Sequence, residues 1–157
     1  MPDSTSSSRF TTRDGAASVG PPLIGALLRM PWEEVRRRML EHLHAHGFRD
    51  LEAPHLDVLQ YPGPDGARPS RLAARLRVSK QALNYLIGQL ERLGYLERLP
   101  DPHDLRSKRI ALTPRGDAAL SAIRDAVADV ERDWADRLGA DRFAELRALL
   151  VELSGPD

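Results

Sequence analysis

Residues 68–99 read RPSRLAARLRVSKQALNYLIGQLERLGYLERL, and this stretch decides the fold. It contains two helical patterns separated by a short break. We expect Ser70 to cap the first helix, Ser79 to cap the second, and Gly94 to end the second. The apolar stripe of the second helix, at helical spacing, is Leu83, Leu86, Ile87, Leu90 and Leu93. Most of the outward face of that helix is therefore polar.

Two short strands are predicted directly after these helices, at residues 95–99 and 108–112. Apolar side chains at Leu96 and at Ile110 would face inward from them. The polar stretch PDPHDLRS at 100–107 is predicted to be the loop that joins them. Two helices with a tight turn, followed by a hairpin with a charged loop, describe a winged helix-turn-helix.

Helical patterns flank this central part on both sides. Residues 23–47 predict a helix, in which Pro31 either causes a kink or begins the main part, and a short helix follows near 55–60. Thr113 and Pro114 open a long helix that Gly139 ends, and one more helix follows. The fold class is thus mainly α with a small β-hairpin wing (α+β).

Both C-terminal helices carry apolar seams without a partner in the neighbouring sequence. These seams are Leu120, Ile123, Val127, Val130 and Trp134 on the long helix, and Phe143, Leu146 and Leu150 on the last one. We expect the terminal helices to pack together and across a two-fold axis, which makes a homodimer. The alternative is a helix bundle within one chain, built around the winged domain.

These patterns divide the chain into four parts. Residues 1–20, rich in Ser, Thr and Gly, are predicted to be a flexible tail. An N-terminal dimerisation helix covers 21–52. The winged helix-turn-helix DNA-binding domain covers 53–113, and the C-terminal dimerisation helices cover 114–157.

The charges of the chain balance overall but not locally. Its 157 residues carry 23 basic and 23 acidic side chains, whereas residues 68–109 alone carry ten basic and four acidic ones, a net charge of +6. Both flanks are acidic. A basic centre of this kind favours a polyanionic partner, and double-stranded DNA is the partner predicted here.

Composition also excludes several classes of protein. The chain has no cysteine, which excludes disulfides, thiolate metal sites and thiol nucleophiles. It has no apolar run near the ~20 residues of a membrane helix and no secretory signal, so we expect no membrane partner and a cytoplasmic location. No catalytic constellation is present, and we predict neither an enzyme nor a cofactor.

The stretch DPHDLRSKRIALTPRG at 101–116, together with LAARLRVSKQALNYLIGQLERLGYLER at 72–98, resembles the MarR family of transcriptional regulators. The order of helices around it is also similar to that family. The resemblance implies a homodimeric repressor that binds a pseudo-palindromic operator. It also implies a small aromatic or anionic effector, bound in the crevice between the dimerisation helices and the winged domain.

Candidate DNA contacts fall into three groups. The major-groove group, at the start of the second helix, is Ser79, Lys80, Gln81, Asn84 and Tyr85; the Gln and Asn side chains suit adenine. The wing group is Asp104, Arg106 and Lys108. In the family Arg106 would enter the minor groove, and Asp104 would hold its guanidinium. The phosphate group is Arg68, Ser70, Arg71, Arg77 and Arg109.

Histidines supply the remaining hypotheses. We place His46, His55 and Trp32 near the effector crevice. His42 and His46 also have the i, i+4 spacing of metal ligands, which keeps open a zinc-responsive sensor, although few further ligands are available and no metal is predicted. A winged-helix protein-interaction module that does not bind DNA is the other alternative, and the basic recognition face together with the wing arginine, Arg106, argues against it.

Overall fold

The computed structural model describes residues 21–63 and 65–155, without the side chain of Leu105. The tail predicted for residues 1–20 therefore lies outside the described residues. The described elements are, in chain order, α1 (Ile24–Ala45), α2 (Ala53–Leu59), α3 (Pro69–Leu76), α4 (Lys80–Arg92), β1 (Leu96–Asp101), β2 (Asp104–Leu112), α5 (Pro114–Leu138) and α6 (Ala140–Ser154). This architecture confirms the mainly α fold with a two-stranded wing. None of these helices is long and apolar enough to cross a membrane.

The chain divides into two compact units within α1, one up to Glu34 and one from Val35 onward. In the first unit α1 continues through Pro31 without ending. Large apolar side chains are exposed there, including Leu28 at 51% and Trp32 at 47%. The domain boundaries predicted from the sequence remain predictions.

The second unit contains the hydrophobic core. Helix α4 contributes the fully buried side chains of Leu83, Ile87 and Leu90, as its stripe predicts. The core continues through residues of α1, α2, the wing and α5, namely Met39, Leu43, Leu56, Leu59, Ile110 and Ile123. Each of these large side chains stabilises the fold by about 1.5–3 kcal/mol through its burial. The core therefore fixes α4 with its polar side outward.

The helix caps are partly as predicted. The Ser79 hydroxyl accepts a hydrogen bond from the Ala82 amide at 3.1 Å and caps α4. Ser70 does not cap α3, and that prediction is wrong. The N-cap is Arg68, because Pro69 lacks an N–H, has the φ angle of a first helical residue, and begins the helix earlier.

The wing is longer than predicted. Pairing runs from Leu96 opposite Leu112 to Pro100 opposite Lys108, and then, after a register shift, to Asp101 opposite Asp104. Only Pro102 and His103 remain to turn the chain, so the loop predicted at 100–107 is mostly strand. The segment before α3 joins the sheet as well, since Ala67 exchanges two backbone hydrogen bonds with Ile110, at 2.8 and 2.9 Å.

Helix α5 begins at its predicted cap, where the Thr113 hydroxyl accepts from the Gly116 amide at 3.1 Å. The apolar seam of α5 was predicted to pack against a second subunit, but part of it is buried within the single chain. Leu120, Ile123 and Val130 are 7% exposed or less within the single chain. They face the same chain's interior, so these three are not available to a second subunit. Their assignment to a dimer interface is corrected on that ground.

Half of the large apolar side chains left exposed in the second unit lie on α6. They include Leu146 at 37%, Leu150 at 38% and Val151 at 66%. Phe143 and Trp134 are half-buried, and Val127 packs against the core. Helix α6 contains no buried residue among those described.

Candidate nucleic-acid interface

The outward face of α4 carries the predicted major-groove side chains. Lys80, Gln81 and Asn84 are exposed, and Tyr85 is exposed to 65%. These side chains lie opposite the buried stripe. The core therefore fixes the orientation of α4, and these side chains take no part in the packing. An exposed polar face at the start of the second helix of a helix-turn-helix is the part that meets base edges in such folds.

The turn before α4 is held in a strained conformation. Arg77 ends α3 with φ +53°, in the left-handed region that non-glycine residues occupy at a cost of about 1 kcal/mol. Its amide hydrogen bonds to the Ala74 carbonyl, and the Val78 amide bonds to the Ala73 carbonyl at 3.2 Å. The exposed side chains of Arg77 and Lys80 therefore flank a turn of fixed geometry.

The Asp104 side chain stabilises the backbone of the wing turn and does not bind the Arg106 side chain. One of its carboxylate oxygens accepts from the Arg106 backbone amide at 3.1 Å, and the other accepts from the Ser107 hydroxyl at 2.7 Å. These two hydrogen bonds, that from Ser107 first, lower the pKa of Asp104. The predicted hydrogen bond between Asp104 and the Arg106 guanidinium is therefore wrong, because the backbone amide of Arg106 is the donor. The exposed guanidinium extends from a strand whose backbone Asp104 positions.

Asp101 is a residue that stabilises this site and that the sequence analysis did not single out. Its carboxylate is 2% exposed, accepts from Arg68 Nε at 2.5 Å, and accepts from the His103 amide at 2.9 Å. This ion pair ties the N-terminus of α3 to the wing turn. Arg68, predicted to contact phosphate, thus has a structural role as well. The sequence offers only an acidic residue beside proline at the end of a strand. That pattern is also common in ordinary turns, so it does not indicate an ion pair.

The Arg68 hydrogen bond, followed by that of the His103 amide, lowers the pKa of Asp101. A lowered pKa in the folded state contributes stability above the ordinary value of 3.8, and this contribution is lost as the pH falls through the folded-state pKa. We expect Asp101→Asn to unfold at lower temperature than the wild type at pH 7. The gap should shrink as the pH falls below about 4. Thermal unfolding of both proteins from pH 7 to pH 3 measures it, and a gap that widens on acidification would contradict this sign.

The other predicted phosphate contacts differ in exposure. Ser70, Arg71, Arg77 and Lys108 are exposed. Arg109 is half-buried, and its Nε is buried without a hydrogen-bond partner among the described residues. Exposed cations therefore lie on α3, in the turn before α4 and on β2, and their contacts with phosphate remain predictions.

The histidines are engaged in local contacts. The His42 and His46 rings stack with centroids 4.0 Å apart, and His46 Nδ1 donates to the His42 carbonyl at 2.7 Å. His44 Nε2 donates to the Leu51 carbonyl at 2.9 Å. Within residues 21–63 and 65–155 no three His, Asp or Glu side chains are grouped so as to hold a metal ion.

His55 has a structural role at the start of α2. It is 3% exposed, and its Nδ1 accepts from the Glu52 amide at 3.0 Å, which forms a capping box. Its Nε2 bonds to the Gln89 amide oxygen at 3.3 Å. Both ring nitrogens of His55 thus have hydrogen-bond partners within the chain. The effector role predicted for His55, His46 and Trp32 remains a prediction.

A separate cluster joins the winged domain to α5. The buried Tyr95 donates from its hydroxyl to Asp50 at 2.5 Å, and Arg115 donates to the other oxygen of Asp50 at 2.8 Å. The guanidinium also lies 4.4 Å from the centre of the Tyr95 ring and bonds to the Leu93 carbonyl. Burial, and then the Asp50 hydrogen bond, raise the pKa of Tyr95 to about 12. The end of α4 is thereby tied to the start of α5.

A cavity of about 320 Å³ opens between α5 and α6 beside the end of α2. Leu120, Ile123 and Val127 line it, and so do Arg124 and Arg147. Arg147 pairs with Glu131 at 2.6 Å. Glu131 also lines the cavity and neutralises Arg147, so Arg124 is the group there that would attract a small molecule that is partly apolar and carries negative charge.

Comparison with known proteins gives the class of protein. The MarR family model matches residues 46–107. The transcriptional regulator PecS of Dickeya dadantii is 30% identical over 104 residues, which cover 64% of this chain and 63% of PecS. The match therefore spans a little under two thirds of that relative.

Solved structures match over a longer stretch. The reduced form of MarR from E. coli superposes with a TM-score of 0.70 at 28% identity, covering 86% of this chain and 98% of MarR. A mutant of the same protein complexed with operator DNA gives a TM-score of 0.67 at 29% identity, covering 83% and 92%. The wing motif, the helix order and these likenesses agree: the chain has the winged helix-turn-helix fold of MarR and is similar to the MarR family of transcriptional regulators.

Proposed function

We propose that the protein is a sequence-specific regulator of transcription that binds double-stranded DNA as a homodimer. The observation that carries this proposal is the exposed Lys80, Gln81, Asn84 and Tyr85 face of α4, with the exposed Arg106 of the wing in the same domain. In this proposal α4 enters the major groove and Arg106 enters the neighbouring minor groove.

The homodimer is supported by the apolar side chains that one chain leaves exposed. On α6 these are Leu146, Leu149, Leu150, Val151 and Leu153, with exposed fractions from 37% to 81%. In the first unit Leu27, Leu28 and Trp32 are about half exposed. Exposed apolar surface of this extent is typical of protein interfaces, and a second copy of the chain is the occupant proposed. Two-fold symmetry then calls for two half-sites about one turn of DNA apart, roughly 10 bp.

Repression is the mode of action proposed, since a dimer bound over a promoter blocks access without any further activity. The α5–α6 cavity supports a small anionic effector as a second element of the proposal. Such a ligand changes DNA affinity only if it binds the two arrangements of the dimer with different affinity. The family alternatives, a zinc sensor or a protein-interaction module, lack a comparable feature in the described residues.

Sedimentation with a fluorescent duplex tests the proposal. Duplexes selected by the protein from a randomised library should sediment with two chains of 17.5 kDa each. The complex should dissociate as salt rises from 50 to 200 mM, with a loss of about 10³-fold in affinity if several phosphates are contacted. A monomeric protein, or binding that does not change with salt, would contradict it.

A further inference from the structure

A continuous chain of hydrogen bonds leads from α2 to the exposed face of α4. It begins at the Glu52 amide, which donates to His55 Nδ1 at 3.0 Å. His55 Nε2 lies 3.3 Å from Gln89 Oε1, and Gln89 Nε2 lies 3.2 Å from the Tyr85 hydroxyl. The chain thus joins a side chain that is 3% exposed to one that is 65% exposed.

The direction of every hydrogen bond in this chain is fixed by its first member. A backbone N–H can only donate, so His55 Nδ1 must be an acceptor. The neutral imidazole then carries its hydrogen on Nε2, which must donate to the oxygen of the Gln89 amide. The NH₂ of Gln89 is consequently turned toward Tyr85 and donates to its hydroxyl oxygen.

The start of the chain is held rigidly. Arg36 Nη1 bonds to both carboxylate oxygens of Asp57, at 2.8 and 2.9 Å, and Arg36 Nη2 bonds to the Ala53 carbonyl at 2.9 Å. These contacts fix α2 against the α1 residues of the second unit. The orientation of Gln89 is therefore set by backbone and core groups rather than by solvent.

A hydroxyl that accepts one hydrogen bond keeps one hydrogen to donate. We propose that His55 and Gln89 are positioning residues that present the Tyr85 hydroxyl to DNA as a hydrogen-bond donor. Its partner is an acceptor atom of the duplex, either a phosphate oxygen or an acceptor on a base edge. This inference rests on the proposed DNA-binding function and adds the polarity of one contact to it.

A double-mutant cycle tests the coupling, with full-length protein and a labelled duplex that the wild type selects from a randomised library. Tyr85→Phe should weaken binding about tenfold, the usual effect of losing a hydrogen bond to a charged or strong acceptor. Gln89→Met should weaken it about threefold, because the hydroxyl is then free to rotate. In the Tyr85→Phe background Gln89→Met should cost nothing further.

Gln89→Glu tests the polarity itself. A carboxylate accepts from both His55 Nε2 and the Tyr85 hydroxyl, so it consumes the hydrogen that DNA would receive. We expect a loss at least as large as that of Tyr85→Phe. The same change in the Tyr85→Phe background measures the effect of the added charge alone. Tyr61→Phe, which removes a hydroxyl outside the interface, should leave affinity unchanged.

The outcomes separate the possibilities. An equal loss from Gln89→Met in both backgrounds, or wild-type affinity of Tyr85→Phe, overturns the donor role and leaves the proposed function standing. A wild-type protein that binds no duplex overturns the proposed function and the donor role together.

Repeating the selection with Tyr85→Phe identifies the acceptor atom on the duplex. A uniform loss of affinity across sequences indicates a phosphate oxygen, and a lost preference at one symmetric pair of positions indicates a base. Thermal unfolding of each variant reports any loss of folding, which cancels in the cycle when it is equal in both backgrounds.

Discussion

Gly116→Ala is expected to destabilise the protein by about 3 kcal/mol, and thermal unfolding should shift down by about 10 °C. A Cβ at this position would lie 2.1 Å from the Tyr95 carbonyl oxygen and 3.0 Å from a methyl group of Leu112. The carbonyl belongs to the backbone and accepts from the Thr113 amide, so it cannot rotate away. The glycine of the wing motif is thus required by the close approach of α5 to the start of β1.

Gly88→Ala is the matched control for that change. Gly88 lies inside α4, and a Cβ there would meet only the end of the Arg92 side chain, at 3.7 Å. Replacing a mid-helix glycine by alanine stabilises a helix by about 0.5–1 kcal/mol. We therefore expect opposite signs for the two glycines in parallel thermal or urea unfolding. Similar behaviour of both variants would contradict the packing described at Gly116.

Arg106→Ala is expected to weaken DNA binding about 10- to 100-fold for all sequences alike. Arg106 is exposed on β2, and its backbone amide is held by Asp104, so the change removes a charge at a fixed place and leaves the turn intact. A side chain that reads groove width and charge carries little base preference. Two wings in a dimer should lower the slope of log affinity against log salt by about 2.

Arg137→Ala controls for net charge, because it removes an equal charge at the end of α5. Titrations of both variants at several salt concentrations should separate them clearly. If Arg106→Ala behaves like Arg137→Ala, the wing does not contact DNA. If it changes preference at a single base position, Arg106 reads a base rather than the groove.

The elements proposed to bind DNA could be predicted from the sequence because they depend on local patterns. The stripe at Leu83, Ile87 and Leu90 fixes the outward face of α4, and the Ser79 cap fixes where the helix begins. The Thr113–Pro114 start of α5 is equally local. Period and capping chemistry specify a helix face without knowledge of its partner.

The remaining features depend on which groups meet across the fold. An apolar seam on α5 indicates burial but not what covers it, and here Ile123 and Val130 are buried by their own chain. The Asp101–Arg68 pair joins residues 33 positions apart, and no periodicity predicts it. The hydrogen bond predicted between Asp104 and the Arg106 guanidinium is wrong, because Asp104 accepts from the Arg106 backbone amide, a turn N–H that needs an acceptor.

The most direct test of the proposed placement of α4 in the major groove is selection from a randomised duplex library. The selected sequences are determined for the wild type and for Gln81→Ala and Asn84→Ala. The wild type should enrich an inverted repeat whose half-sites lie roughly 10 bp apart. Each variant should lose preference at one symmetric pair of positions, at a cost of about 1–3 kcal/mol on the selected duplex, while its stability is unchanged because both side chains are exposed. A wild type that enriches no common sequence, or variants that select the same sequence as the wild type, would contradict the placement of α4 in the major groove.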